Sequence, residues 1–226
     1  MTAIRVESDD VLATQCDVLV LKYAQGFYGA DRAVANGLDL SVPDDVLLPG
    51  KHLQIPTRGK LPSKAVILVG VPQLWEFGYA EIRKFSKDVL SILAEEDCEK
   101  KTIAMTMHGV GYGLDEKEAF TAQVAGVMEY LDSPGNTWSP EAITFVEHDT
   151  NRAKRMAGFL SAIRPSVGIN QESETRPAMA SRLPDAGIKS DAKMHIFVAM
   201  PFDDELQDVY EFGICEPVNA AGCLCE

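Results

Sequence analysis

The sequence predicts an α/β fold, a three-layer sandwich with a mixed, mostly parallel sheet, and three observations carry that expectation. Runs such as Asp17-Val-Leu-Val-Leu-Lys-Tyr23 and Ala65-Val-Ile-Leu-Val-Gly70 are continuously apolar rather than alternating, as strands buried on both faces of a parallel sheet are. They alternate with amphipathic helical stretches over residues 1–164. Glycine-bearing loops lead from strand to helix, which is where ligands sit in such sheets.

Taken in order, Ile4-Arg-Val reads as a short opening strand and Asp17 to Tyr23 as the first long one. Ala24-Gln-Gly-Phe-Tyr-Gly-Ala-Asp31 is a glycine loop, followed by a short helix through Arg32-Ala-Val-Ala-Asn36 that Gly37 would end. Lys51-His-Leu-Gln-Ile55, between Pro49-Gly50 and Pro56, alternates and suits an edge. After Ala65 to Gly70 comes a loop carrying Trp75, Phe77 and Tyr79. A helix then runs from about Tyr79 to Glu95, with Ile82, Phe85, Val89, Ile92 and Leu93 on one stripe. A strand over Thr102 to Met107 precedes a helix from Asp115 to Leu131 that turns Phe120, Val124, Val127, Met128 and Leu131 inward. The Ser133-Pro-Gly-Asn136 turn, the strand Ala142 to Val146 and a helix capped by Asp149 or Thr150 complete the unit.

The chain has 226 residues, which exceeds one ordinary domain of ~100–200 residues and suggests a domain plus an appended piece. Residues 165–192 are rich in Ser, Pro, Gly and charge and read as a flexible linker. Residues 193–226 start again with a buried strand, Met194 to Met200, and an acidic helix from Asp203, too little to bury a core alone. They read as the truncated start of a second α/β unit.

The 34 acidic residues against 21 basic ones give a formal charge of −13, which argues against general affinity for nucleic acid or anionic membranes. No stretch approaches a bilayer span. The five cysteines, Cys16, Cys98, Cys215, Cys223 and Cys225, show no repeated spacing and suit a reducing cytoplasm. With no second pair and four histidines, Cys223-Leu-Cys225 gives little support for a metal, and the sequence calls for no cofactor.

The candidate ligand-binding residues come from two loops. In Met107-His-Gly-Val-Gly-Tyr-Gly-Leu114, Gly109, Gly111 and Gly113 free the backbone N–H groups of Val110, Tyr112 and Leu114 to approach an anion. Asp115 with Glu118 forms a capping box that opens a helix whose dipole favours a phosphate there. In the earlier loop, Gly26, Gly29 and Asp31 face the same end of the sheet, and Asp31 either contacts a ribose or base or caps the short helix. His108 either touches the ligand or is a hydrogen-bonded structural histidine. No Ser-His-Asp arrangement, metal cluster or Gly-Lys-Ser motif supports catalysis, so no catalytic residue is assigned.

The order of elements together with these two loops resembles the macro domain, most nearly the macro-like N-terminal domain of leucine aminopeptidases. The resemblance implies that His108-Gly-Val-Gly-Tyr-Gly-Leu114 wraps the diphosphate and distal ribose of ADP-ribose, with Tyr23 to Asp31 facing it. Members that hydrolyse ADP-ribosyl links usually carry Asn-Ala-Ala-Asn where Lys22-Tyr23-Ala24-Gln25 stands here, so ligand contacts carry over and hydrolysis does not. His195-Ile-Phe-Val-Ala-Met-Pro-Phe202 resembles the first strand and loop of nucleoside 2-deoxyribosyltransferase-like domains, relatives of TIR domains that process NAD.

Two readings follow. One is an ADP-ribose or NAD-derived nucleotide sensor tethered to a nucleoside- or NAD-processing domain, in a setting of bacterial signalling or defence. The other is a structural scaffold, as in the aminopeptidases, for which a homo-oligomer stays open. A sensor expects loop N–H groups aimed into an open cleft; a scaffold expects Tyr28, Trp75 or Tyr112 to fill it.

Overall fold

The computed structural model describes residues 2–40, 47–96, 101–110, 113–163 and, further on, 194–196, 198, 210, 214, 217–218, 221 and 223–225. Six strands form one sheet: β1 (Ala3–Ser8), β2 (Val18–Tyr23), β3 (His52–Pro56), β4 (Ala65–Gly70), β5 (Thr102–Thr106) and β6 (Ala142–Glu147). Their order is β1-β6-β5-β2-β4-β3, parallel throughout except for β3, which runs antiparallel to β4 at the edge. Every residue of β2 and β6 is buried, the pattern that continuous apolar runs predict. β3 is largely exposed, as its alternation and closing Pro56 require of an edge strand.

Four helices cover the sheet: α1 (Gly29–Leu38), α2 (Tyr79–Glu96), α3 (Glu116–Leu131) and α4 (Thr150–Ile163). Strand periodicity sorts the core into two layers. Val18 and Val20 of β2 point into a cluster with Ile82, Phe85 and Val89 of α2, Phe120 and Val124 of α3, and Met156 of α4. Leu19, Leu21 and Tyr23 point the other way, against Val34 and Leu38 of α1. The result is the expected three-layer sandwich.

Two helices differ from their sequence reading. α1 begins at Gly29 and passes through Gly37 to Leu38. Asp39, with φ of 56°, takes the left-handed position and donates its N–H to the Ala35 and Asn36 carbonyls, so Gly37 is not the terminator. α3 is buried nearly all round, including Thr121, Gln123, Ala125 and Gly126, because α2 and α4 flank it on the sheet. Asp149 rather than Thr150 caps α4, accepting from Arg152 N–H at 2.6 Å.

Toward the C-terminus β7 (His195–Ile196) pairs in parallel with β8 (Leu224–Cys225). The linker, the acidic helix from Asp203 and most of the 195–202 segment lie outside the described residues.

Candidate functional site

The carboxyl ends of β2, β4 and β5 lie side by side, so the loops that leave them converge. Backbone and side-chain bonds tie the first two together. Val71 N–H donates to the Tyr23 carbonyl at 2.9 Å. Gln25, at φ of 57°, turns its amide so that Nε2 donates to the carbonyls of Val71 at 3.0 Å and Leu47 at 3.3 Å. At Gly26 the Tyr28 ring lies close, so that a Cβ there would stand 3.2 Å from it and the ring would have to shift by a few tenths of an ångström. Gly29 starts α1 at φ of 52° with open space around it.

The loop after β5 is built inward as much as outward. Gly109 adopts φ of 89°, and a Cβ on it would come within 2.4 Å of Leu114 Cδ1 and 2.9 Å of Ile82 Cδ1. Leu114 is buried and Val110 half-buried against the core, so their side chains pack while only their backbone remains available. Gly113 is again left-handed, at φ of 81°. Asp115 caps α3 by accepting from Glu118 N–H at 3.0 Å, the capping bond the sequence predicts. The Asp115 N–H itself is met by the Tyr79 hydroxyl at 2.8 Å, so that fully buried tyrosine is a fastener of this loop. Gly111 and Tyr112 lie outside the described residues.

Beneath the two loops is a buried polar cluster. Asp31, in the first turn of α1, accepts from Lys22 Nζ at 2.5 Å, and both side chains are shielded, at 3% and 8% exposure. Asp31 is therefore not the cap of α1, whose N-cap position is Tyr28. Burial raises the Asp31 carboxyl above its ordinary value, and Lys22 opposes that shift. His108 is buried edge-on to Phe85 and Phe77, with centroids 4.8 and 6.3 Å away. Burial and then the Lys22 charge hold its pKa well below 6.5, which keeps the ring neutral at physiological pH. Asp31 Oδ1 and His108 Nε2 have no hydrogen-bond partner among the described residues. Buried polar atoms of this kind ordinarily find a partner, in protein, water or ligand.

Of the candidate residues, the structure thus brings Gly26, Gly29 and Asp31 to one end of the sheet with Gly109, Val110, Gly113 and Leu114. Lys22 was missed, although a signal existed: a charge inside an otherwise apolar, two-face-buried strand needs a partner. Of the loop aromatics, Phe77 and Tyr79 are core, whereas Trp75 is 74% exposed. A recess of about 230 Å³ lined by Leu38, Ile55, Pro56, Thr57, Arg58 and Lys60 lies by the start of β4, at the opposite end of the sheet from these loops. No group of three or more metal-ligating side chains occurs among the described residues, and no helix among them is long and apolar enough to cross a membrane.

No protein-family model and no curated protein matches the sequence. Solved structures do. The Trypanosoma brucei macrodomain in complex with ADP is similar at a TM-score of 0.55 and 17% identity, over 70% of this chain and 69% of that one. The same macrodomain in complex with ADP-ribose gives 0.54 and 17%, over 70% and 68%. An Oceanobacillus iheyensis macrodomain variant gives 0.55 and 15%, over 70% and 90%. At such identities the likeness is one of architecture, and the chain has the α/β sandwich fold of the macrodomains.

Proposed function

We propose that this chain binds a nucleotide diphosphate of the ADP-ribose class across the loops that follow β2 and β5, as a binding module without turnover of its own. The observation that carries the reading is the loop from His108 to Asp115. Left-handed Gly109 and Gly113 lie just ahead of the N-terminus of α3, where the helix dipole favours an anion against the carboxylates of Asp115, Glu116 and Glu118. The complexes of the similar Trypanosoma brucei macrodomain with ADP and ADP-ribose support the choice of ligand class. Binding rather than hydrolysis follows from the chemistry available. His108 is buried against phenylalanines with its pKa held well below 6.5, and Asp31 is paired through Oδ2 with the Lys22 ammonium. Coupling of this module to a nucleoside- or NAD-processing unit beyond residue 193 is part of the same proposal and rests on the sequence resemblance there.

A scaffold remains the competing reading, favoured by the Tyr28 ring set against Gly26 and by Leu114 filling the space over Gly109. Calorimetric titration with ADP-ribose separates the two. Saturable binding is expected, and Gly111→Val, which crowds the loop with a branched side chain, should abolish it while circular dichroism shows an intact fold. No heat at high micromolar ligand would leave the scaffold as the account.

A further inference from the structure

β1 forms an open edge of the sheet: among the described residues its one neighbouring strand is β6. The ladder between them fixes which backbone groups of β1 look outward. Ala3 N–H donates to the Glu141 carbonyl at 3.0 Å and, at the other end, Asp9 N–H to the Glu147 carbonyl at 3.1 Å, with unbroken register between. Ala3, Arg5, Glu7 and Asp9 therefore bond to β6, and Ile4, Val6 and Ser8 turn their N–H and C=O groups to the open side. Such a row is a template for a further strand unless something blunts it. At the other edge β3 is blunted by Pro56, which has no N–H to offer. β1 carries neither a proline nor a bulge.

The side chains of β1 decide which strand fits. Ile4 and Val6 are half-buried against the core on the face that α4 covers. Arg5 and Glu7 lie on the other face, partly exposed and paired with each other at 2.7 Å. When two copies of β1 run antiparallel, their outward groups meet only where Ile4, Val6 or Ser8 stands opposite one of the same three. Ile4 opposite Val6 would set Arg5 against Arg5, and Val6 opposite Ser8 would set Glu7 against Glu7. Val6 opposite Val6 sets Arg5 of each copy against Glu7 of the other. Opposite charges across a strand pair stabilise and like charges do the reverse, so charge selects this one register. The neighbouring helix leaves room for it. Arg152 and Arg155 of α4 reach Glu116 of α3, so the side of α4 away from α3 carries Thr150, Lys154, Ala157 and Ser161, of which only Lys154 is long.

We propose that the chain forms a twofold-symmetric dimer by antiparallel pairing of β1 with β1 of a second copy, which joins the two six-stranded sheets into one. The twofold is centred on Val6, and the interface is isologous. β6 and β5 separate β1 from β2, and antiparallel pairing points the carboxyl ends of the two sheets in opposite directions. The loops after β2 and β5 thus stay clear of the interface in both copies, and the inference is independent of what they bind.

Sedimentation equilibrium of the full chain over a concentration series tests it. Six residues a side make a small interface, and a reversible dimer with a micromolar dissociation constant is expected. Arg5→Glu and Glu7→Arg each set like charges opposite one another twice and should each weaken the dimer roughly tenfold or more. Mixing the two variants, or combining both changes in one chain, should restore it. Val6→Pro removes an N–H that β6 does not use and should give a monomer with unchanged circular dichroism. A full chain that stays monomeric at concentrations approaching millimolar overturns the proposal. So does a dimer that both single charge variants leave intact, or one that both abolish and mixing fails to recover.

Discussion

Lys22 follows Val18 and Val20 at strand period, so its stem enters the apolar layer under α2, while its ammonium reaches Asp31 on α1. An ion pair this well shielded contributes little net stability relative to an apolar pair, yet breaking it strands a charge. Lys22→Met preserves the stem and removes the charge, and the expected loss is about 3–5 kcal/mol in urea unfolding near neutral pH. The pH dependence has a definite sign. Burial raises the Asp31 carboxyl above its ordinary 3.8, and without Lys22 nothing counters that shift. A carboxyl whose folded pKa is raised contributes its full stability below the unfolded value and loses it as pH rises through the folded one. The deficit of Lys22→Met should therefore be small near pH 4 and grow toward neutrality. A deficit that stays constant with pH would mean that packing of the stem, and not the charge, is what the residue supplies.

The helices were legible where one face alone is buried, as with the stripe Ile82, Phe85, Val89 of α2, and less so where a helix is enclosed. In α3 the residues between the expected inward positions, such as Ala125 and Gly126, are buried because α2 lies directly on them, a tertiary fact that no helical period records. Gly126 is the point of closest approach: a Cβ there would stand 2.0 Å from the Arg83 carbonyl oxygen of α2. Backbone cannot rotate aside as a side chain does. Gly126→Ala should gain the ~1 kcal/mol of helix propensity that alanine offers and lose about 1–3 kcal/mol to overpacking, for a net loss. Gly158, in α4 with nothing within 4 Å of its missing Cβ, supplies the contrast. There Gly158→Ala should stabilise by up to ~1 kcal/mol. Parallel chemical denaturation of both variants checks the pair, and equal effects would show that propensity, not helix contact, governs these sites.

Across the whole molecule, sequence and structure agree on architecture because burial on both faces leaves its mark on every central strand, and glycine loops mark where strands end. The site was half legible. The glycines and Asp115 announced the left-handed turns at Gly109 and Gly113 and the cap of α3, but the union of Lys22 with Asp31 depends on where α1 is set against β2, and that placement is written in the packing of Val34 and Leu38 rather than in any local motif. Among the described residues, every buried apolar side chain lies between Val18 and Leu160. Residues 1–164 should consequently fold alone. A chain ending there is expected to unfold in one cooperative step, with a thermal midpoint within the ~2–4 °C of the full chain that 1 kcal/mol would cause, and to keep the full chain's affinity for ADP-ribose. A larger fall, or a broadened transition, would show that the C-terminal residues cover apolar surface of the sandwich, and the domain boundary would then have to move beyond residue 164.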